Sequence, residues 1–229
     1  MFAPSELSPR LRNLVAGLIQ RTWGWVSAVG MVSPDDAAGR RFRAMGRASG
    51  IAFPPGAVYG EQWISIGSET MIGPNVSLAV GIPGEPIDDE RPPVIAIGDR
   101  CNVGRGTSII GRCAITIDDD VTIGPNVYIT DHNHAYDDVG VPIGRQFPIG
   151  DAVHIGAGSW LATGVIVLPG ARIGRNVAVA AGSVVRGEIP DHAVIAGAPA
   201  RVVRRYYADA GWDPPRDAPP PPPEGWTTD

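Results

Sequence analysis

The sequence contains no lysine, so all nineteen of its basic residues are arginines, and twenty-four acidic residues bring the formal net charge to −5. A nucleic-acid-binding surface needs concentrated positive charge, so this balance argues against that function. Cysteine is also scarce. The two cysteines, Cys101 and Cys113, form neither a CxxC metal pair nor a secreted disulfide framework, and we expect a protein of the reducing cytoplasm.

Long uninterrupted apolar runs are missing as well. The N-terminal segment opens with polar residues and carries Arg21 inside its most apolar stretch, which argues against a signal peptide and against a spanning helix. With 229 residues, the chain is expected to form one domain with a sizeable core and small appendages.

What the sequence has in abundance is a six-residue period. An aliphatic residue recurs at every sixth position, glycine often follows it, and a small or β-branched residue stands four positions later. The aliphatic positions are Ile66, Ile72 and Leu78; Ile97, Val103 and Ile109; Ile117, Ile123 and Ile129; and then Ile149, Ile155, Leu161, Val167, Ile173, Val179 and Val185.

A period of six matches neither the α-helix nor the simple alternation of a strand. It is the repeat of a triangular β-solenoid, in which each six-residue face sends one aliphatic side chain to the axis. Each buried aliphatic side chain contributes about 1.5–3 kcal/mol, and a coil gains this only by stacking on its neighbours. The pattern therefore predicts a mainly β protein built on one solenoid.

The flanking segments and two inserts do not follow the period. Residues 9–30 have apolar side chains at helical spacing, and this amphipathic helix would cap an open end of the solenoid or pack against a neighbouring chain. The alternative is peripheral membrane contact, since arginines and tryptophans accompany the apolar face. The predicted organisation is an N-terminal helical segment at 1–50, the solenoid at 51–189 with inserts at 79–96 and 130–148, a C-terminal cap at 190–207 and a proline-rich tail at 208–229.

The second insert, ITDHNHAYDDVGVPIGRQFPIG, places two histidines among three aspartates. Together with the hexads and the ending VLPGARIGRNVAVAAGSVVRGEIPDHAVIAGAPARVV, it resembles the left-handed β-helix acyltransferases, in particular the galactoside, maltose, streptogramin and capsular-sugar O-acetyltransferase branch. The likeness covers roughly residues 60–206. Hexads alone are shared with nucleotidyltransferases and gamma-class carbonic anhydrases, so they indicate the fold and not the function.

The resemblance implies a left-handed parallel β-helix in a homotrimer that holds acetyl-CoA between neighbouring solenoids. After the β-helix, IPDHAVIAGAPARVVRRYY at 189–207 predicts a turn followed by a short helical segment or a strand. It implies direct transfer of an acetyl group from acetyl-CoA to a hydroxyl of a sugar, glycan or sugar-bearing small molecule, with no metal required. A neutral imidazole suits the task of general base. Counting five residues from Ile129 reaches His134 at the family's catalytic position, and His132, three residues on, is the alternative.

The resemblance also suggests residues that bind acetyl-CoA. The backbone N–H of Ala157 is implied as the donor to the oxyanion. The matched cofactor-binding positions are Ala157, Ala181, Arg186, Arg201 and Arg204. An aspartate of the loop, Asp131, Asp137 or Asp138, is a candidate to orient an imidazole. The two cysteines fall on small inward positions and are expected in the core.

The pattern departs from the family where the acceptor binds. An asparagine that contacts the sugar falls on Gly104, an acidic neighbour falls on Arg112, and the aromatic residue that often precedes the glycine after the loop is His154. The acidic insert residues Glu85, Asp88, Asp89 and Glu90 are candidates for a different acceptor wall.

Three alternatives stay open on sequence grounds. The first is N-acetylation of an amino-sugar, or transfer of a longer acyl group, by the same machinery. The second is a zinc enzyme of the carbonic-anhydrase type that uses His132, His134 and His154. The third is a non-catalytic trimeric scaffold.

Overall fold

The computed structural model describes residues 8–81 and 92–215. One helix, α1 (Pro9–Val29), precedes a left-handed parallel β-helix, as predicted. The strands are β1 (Ala44–Met45), β2 (Gly50–Ile51), β3 (Val58–Tyr59), β4 (Ile64–Ile66), β5 (Met71–Ile72), β6 (Ser77–Val80), β7 (Ile95–Ile97), β8 (Asn102–Val103), β9 (Ser108–Gly111), β10 (Ile115–Ile117), β11 (Thr122–Ile123), β12 (Tyr128–Thr130), β13 (His132–Asn133), β14 (Ile149–Gly150), β15 (Val153–Ile155), β16 (Trp160–Leu161), β17 (Ile166–Val167), β18 (Arg172–Ile173), β19 (Ala178–Val179), β20 (Val184–Val185), β21 (Glu188–Ile189), β22 (Ala193–Gly197), β23 (Ala200–Tyr207) and β24 (Gly211–Asp213). Short 3-10 turns occupy Gly39–Arg41, Glu61–Trp63 and Ile143–Arg145.

Three sheets form the faces of the solenoid. Sheet 1 has the order β1-β4-β7-β10-β15-β18-β21, sheet 2 has β2-β5-β8-β11-β16-β19-β22-β23-β24, and sheet 3 has β3-β6-β9-β12-β17-β20. The chain visits sheet 1, sheet 2 and sheet 3 in turn, so each coil has three corners. The strands of sheet 1 pair in register along the axis, with Ile117 beside Ile97 on one side and Ile155 on the other.

The aliphatic hexad positions fill the axis of the solenoid. Fifteen of the sixteen predicted positions are at most 3% exposed, and the ladder continues into Ile189 and Ile195. Ile149 was predicted to continue the ladder and is instead 58% exposed. The reason is that β14 leaves the coil and pairs antiparallel with β13, so Ile149 lies opposite Asn133 in a two-stranded arm.

The corners use residues that tolerate a left-handed backbone. Asn75, Asn126 and Asn176 have φ between 51° and 59°, a conformation that asparagine adopts more readily than most residues. The tight bends between faces therefore follow from the asparagines and glycines of the repeat.

Helix α1 begins where the sequence provides a cap. The Ser8 hydroxyl accepts a hydrogen bond from the N–H of Leu11 at 3.4 Å, and Pro9 opens the first turn. No side chain of the helix is buried, and Leu14 and Leu18 are 69% and 64% exposed. The helix therefore does not bury its apolar face against the solenoid of its own chain.

The C-terminal segment adopts the strand alternative of the two that the sequence left open. Within 190–215, β22 and β23 form an antiparallel pair and β24 pairs antiparallel with β23. Valine and tyrosine are abundant in β23 and favour a strand, and the last edge of sheet 2 offers unpaired backbone groups to it. The solenoid also begins earlier than predicted, at β1 rather than at residue 51.

Two predicted features lie outside the described residues: the acidic insert residues Glu85, Asp88, Asp89 and Glu90, and the proline-rich tail beyond residue 215. Within residues 8–81 and 92–215, no helix combines the length and apolarity needed to cross a membrane.

Candidate active site

The histidine loop is anchored by a buried carboxylate. Asp131 follows β12 directly and has no solvent exposure. Its carboxylate accepts hydrogen bonds from the backbone N–H of Arg112 at 2.9 Å and of Cys113 at 2.7 Å, both in the preceding coil. Its carbonyl accepts the N–H of Asp151 at 2.8 Å, where the chain returns. Asp131 therefore holds the base of the loop to the solenoid.

The two histidines of the loop have different surroundings. The side chain of His132 is 20% exposed, and its Nδ1 lies 3.0 Å from Asp131 Oδ1. His134 is exposed and makes no hydrogen bond to any described residue. The predicted pairing of an aspartate with an imidazole thus occurs, but it joins Asp131 to His132 and leaves His134 exposed, without a partner among the described residues.

The remaining loop aspartates do not reach either imidazole. Asp138 Oδ1 accepts the N–H of Gly140 at 2.9 Å, and the Gln146 amide bonds the backbone around it. Asp137 has no hydrogen bond within the described residues. Both residues are exposed, so they shape or solvate the loop.

Arg112 braces the far end of the loop. Its guanidinium lies over the ring of Phe147 at 4.4 Å from the centroid, and Nη1 donates to the Pro148 carbonyl at 3.4 Å. Cation–π contacts of this kind contribute about 0.5–1 kcal/mol at exposed sites. The loop is therefore fixed at both ends, while its middle extends from the corner between sheets 3 and 1.

The corner between sheets 1 and 2 carries a recurring hydrogen bond between coils. The N–H groups of Ser68, Asp99 and Arg175 each donate to an aspartate carboxylate in the next coil, at 2.7, 2.8 and 3.0 Å. The bond from Arg175 lowers the pKa of its acceptor, Asp191.

This series of hydrogen bonds between coils is interrupted at Ala157. The residue that would accept the N–H of Asp119 is Ala157, and the residue that would accept the N–H of Ala157 is Arg175; neither side chain has an acceptor. The described residues accordingly offer no partner to these two N–H groups. Both residues line a cavity of about 460 Å³, so the predicted oxyanion position lies at the wall of an open space.

A second histidine–carboxylate pair lies beside this corner. His154, on the outer face of β15, places Nε2 3.0 Å from Asp118 Oδ2 in the coil before. Both side chains are partly exposed, at 44% and 38%. His154 was noted from the sequence, whereas Asp118 was missed. The signal was an aspartate in ITIDDD at the position where five other coils have glycine.

The predicted cofactor-binding residues are distributed over different corners. Ala157 follows sheet 1, Ala181 follows β19 of sheet 2, and Arg186 follows β20 of sheet 3. Ala181 and Arg186 are exposed. Arg201 and Arg204 lie on β23, at the end of sheet 2. One chain therefore does not gather all five residues around a single groove.

The arginines of β23 have local contacts. Arg201 Nη1 donates to the carbonyl of Ala200 at 2.8 Å. Arg204 stacks over Trp212 at 5.0 Å, and its Nε donates to the Pro214 carbonyl at 2.6 Å. Arg204 is thus held by the C-terminal hairpin.

The cysteines and histidines do not form a reactive or metal-binding cluster. Cys101 is 2% exposed, and burial raises the pKa of its thiol, which fits the core position predicted for it. Within residues 8–81 and 92–215, no group of three or more histidine, cysteine, aspartate or glutamate side chains is arranged to hold a metal ion. The zinc alternative for His132, His134 and His154 has no support in this geometry.

Comparisons with known proteins identify the repeat. Residues 94–131 match the family model described as hexapeptide repeat of succinyl-transferase, and residues 152–187 match the one described as bacterial transferase hexapeptide (six repeats). Both matched ranges lie within the solenoid.

Curated relatives share about half of the chain. A putative lipopolysaccharide biosynthesis O-acetyl transferase, WbbJ of Escherichia coli, is 39% identical over 120 residues, which cover 49% of this chain and 61% of that protein. The galactoside O-acetyltransferase of Lactococcus lactis is 38% identical over 123 residues, which cover 50% and 58%. The chain thus spans less than two thirds of the length of these relatives.

Among solved structures, a crystal structure of AntD from Bacillus cereus, an N-acyltransferase in complex with dTDP and coenzyme A, has a TM-score of 0.64. At 19% identity it covers 78% of this chain and 92% of that chain. A likeness at this identity supports the fold alone.

Proposed function

We propose that this chain, which belongs to the hexapeptide-repeat acyltransferase family, transfers an acetyl group from acetyl-CoA to a hydroxyl of a sugar, glycan or sugar-bearing small molecule. The observation that carries the proposal is the exposed imidazole of His134 on a loop anchored by a buried carboxylate. The two relatives described above are both named as O-acetyltransferases.

In this proposal His134 is the general base. Its neutral imidazole takes the proton of the acceptor hydroxyl while the hydroxyl oxygen attacks the thioester carbonyl carbon. The N–H of Ala157 donates to the carbonyl oxygen as that oxygen gains negative charge. When the carbon–sulfur bond breaks, the protonated imidazole returns its proton to the departing thiolate, so no acyl-enzyme forms and the base is regenerated.

The positions of His134 and Ala157 support a site shared between copies of the chain. The loop is rooted before β15 and Ala157 follows β15, so the two lie at opposite edges of sheet 1. The six residue steps from Asp151 to Ala157 span up to about 20 Å at 3.3 Å per step. We therefore propose a homotrimer in which the loop of one copy approaches the Ala157 edge of the next.

The same arrangement brings cofactor residues from different corners together. Ala157, Ala181 and Arg186 lie at three different corners of one chain, and a groove lined by one corner from each of two chains joins residues from two of these corners. The exposed Arg186 and Arg201 suit the phosphates of coenzyme A, because guanidinium groups bind phosphate oxygens through paired N–H donors. Arg204, held by Trp212, offers its remaining N–H groups in a fixed orientation.

Transfer to an amine of an amino-sugar is the second candidate. AntD, which shares the fold, is an N-acyltransferase, whereas the relatives with higher identity are named for transfer to oxygen. An acceptor panel separates the two: methyl β-D-galactopyranoside offers only hydroxyls, and D-glucosamine adds an amine. Thiol release with the galactoside supports O-transfer, and release with glucosamine alone supports N-transfer.

The test of the base compares His134→Ala with His132→Ala. We expect His134→Ala to lower kcat about 10²–10⁴-fold while coenzyme A still raises the thermal stability of the variant. His132→Ala removes the imidazole bonded to Asp131. Its main effect should be a loss of thermal stability, and its effect on kcat should be the smaller one. Near-normal turnover of His134→Ala would refute its role, and absence of any stabilisation by coenzyme A in the wild type would favour the non-catalytic scaffold.

A further inference from the structure

At one position of the solenoid, the residue differs from the glycine that most other coils have at the equivalent position. The residue after six of the seven strands of sheet 1 donates its N–H to the next coil, and in five of these six coils it is glycine: Gly46, Gly67, Gly98, Gly156 and Gly174. After the last strand, β21, the residue is Pro190, which has no N–H. A Cβ on Gly67, Gly98 or Gly156 would lie under 3.0 Å from the backbone of the following coil. Glycine is therefore sterically favoured at the position that follows a strand of sheet 1.

Asp118 occupies the equivalent position, directly after β10, and is not glycine. Its N–H donates to the Ile155 carbonyl at 2.9 Å, as the glycines do in their coils. Its carboxylate lies 3.0 Å from His154 Nε2. A local exception to a rule that the fold imposes elsewhere is expected where function requires it.

The pair lies on the wall of two adjoining cavities. Asp118 and His154 line a cavity of about 670 Å³, together with Arg172, Glu188 and Asp191. Asp118 also lines the smaller cavity, together with Ala157. The pair thus lies next to the proposed position of the thioester carbonyl.

The lining of the larger cavity indicates the chemistry of its ligand. Carboxylates accept, guanidinium groups donate, and an imidazole whose Nε2–H faces Asp118 presents Nδ1 as an acceptor. Side chains of both signs around one space match a ring with several hydroxyls, each of which donates and accepts. A volume of about 670 Å³ lies within the range of small-molecule sites.

We infer that the Asp118–His154 pair is a specificity-determining element that binds a hydroxyl of a sugar-ring acceptor beside Ala157. The inference rests on the proposed acetyl transfer for the meaning of acceptor, but the binding of a sugar at this pair is separable from catalysis. His154 contacts the acceptor, and Asp118 is a positioning residue that fixes the orientation of the imidazole.

The direct test is a titration of the full-length protein, labelled with ¹⁵N in its histidines, with methyl β-D-galactopyranoside, D-glucosamine and dTDP-glucose. We expect at least one sugar to shift the Nδ1 resonance of His154, identified through its loss in His154→Gln. If none of the three moves that resonance, the inference is wrong, whether or not the protein transfers acetyl groups. Stabilisation by coenzyme A, measured on the same sample, reports on the proposed function separately.

Variants of Asp118 separate a positioning role from a structural one. Asp118→Gly restores the residue that is sterically favoured at this position, so the variant should fold as well as the wild type. We expect it to raise the KM for the responding sugar about tenfold, with kcat changed less than threefold and stabilisation by coenzyme A unchanged. Asp118→Asn, which can still accept from Nε2–H, should recover most of the wild-type KM.

A control comes from the next residue but one. Asp120, in the same coil as Asp118, forms an exposed ion pair at 2.7 Å with Arg100 of the preceding coil, and Asp120→Asn should leave the sugar KM unchanged. Equal effects of Asp118→Gly and Asp120→Asn would overturn the inference. An unchanged sugar KM in Asp118→Gly and His154→Gln would overturn it as well.

Discussion

Replacement of Asp131 by alanine tests whether this buried carboxylate anchors the histidine loop. The carboxylate has no solvent exposure, accepts N–H groups from Arg112 at 2.9 Å and Cys113 at 2.7 Å, and lies 3.0 Å from His132 Nδ1. Its removal leaves two backbone donors without their acceptor. The variant should therefore lose stability and release the base of the loop.

The size of the effect follows from the hydrogen bonds. A buried donor left unpaired costs about 1–3 kcal/mol, so two cost about 2–6 kcal/mol. Relief from burying a charge subtracts from this sum. We expect a net loss of about 2–4 kcal/mol in the free energy of unfolding, or about 5–15 °C in Tm for a chain of this size.

The assay is thermal unfolding of Asp131→Ala beside two comparison variants. Asp131→Asn keeps one carbonyl oxygen for the backbone donors and should lose less than half as much. Asp137→Ala, in the same loop and without a hydrogen bond to a described residue, should change Tm by less than about 2 °C, as surface substitutions do. A loss of Tm in Asp131→Ala no larger than in Asp137→Ala would refute the anchoring argument.

Two further predictions concern the N-terminal third of the chain. Asp36 accepts the N–H groups of Gly39 and Ser33, each at 2.7 Å, and these bonds, chiefly that from Gly39, lower the pKa of its carboxyl. Its stabilisation, about 1 kcal/mol, is fully present above the unfolded pKa of about 3.9 and is lost as the pH falls through the folded value. Asp36→Ala should therefore be less stable than wild type in urea at pH 7 and nearly equal to it at the lowest pH at which both still fold, whereas a constant difference would contradict the prediction. The exposed face of α1 should pack against a neighbouring chain, because it carries Arg10, Arg12 and Arg21 without an acidic residue while the chain as a whole is acidic. The double variant Leu14→Glu, Leu18→Glu should raise the dissociation constant of the oligomer, measured by sedimentation velocity, at least tenfold. The double variant Asn13→Glu, Gln20→Glu makes the same charge change on the opposite face and should not raise it. Equal dissociation of both double variants, or co-sedimentation of the wild type with anionic vesicles, would favour the membrane alternative.

The solenoid was predictable because its repeat is a direct consequence of packing. One aliphatic side chain per face must reach the axis, so the period of six names the buried residues, and fifteen of sixteen are buried. The exception, Ile149, shows the limit of the method. An aliphatic residue at the expected spacing is buried only if its strand stays in the coil, and β14 pairs with β13 instead.

The C-terminal strands and the Asp118–His154 pair were not predictable for different reasons. A short helix and a strand are both compatible with IPDHAVIAGAPARVV, and the choice depends on the open edge of sheet 2, which is a tertiary feature. The contact between Asp118 and His154 joins residues 36 positions apart, and the loop between them makes the coil spacing irregular. The assignment of His134 as base remains a prediction from its count along the chain.

Three departures from the repeat lie in two consecutive coils, on either side of the neighbouring strands β10 and β15. The histidine loop opens before β15, Ala157 after β15 leaves two N–H groups without an acceptor, and Asp118 after β10 replaces a glycine that sterics favour. Each departure gives up something that stabilises the solenoid: a continuous coil, a hydrogen bond between coils, or a close backbone approach. Their concentration around one strand pair is what a binding groove requires, because a substrate can replace the missing interactions only where they are adjacent.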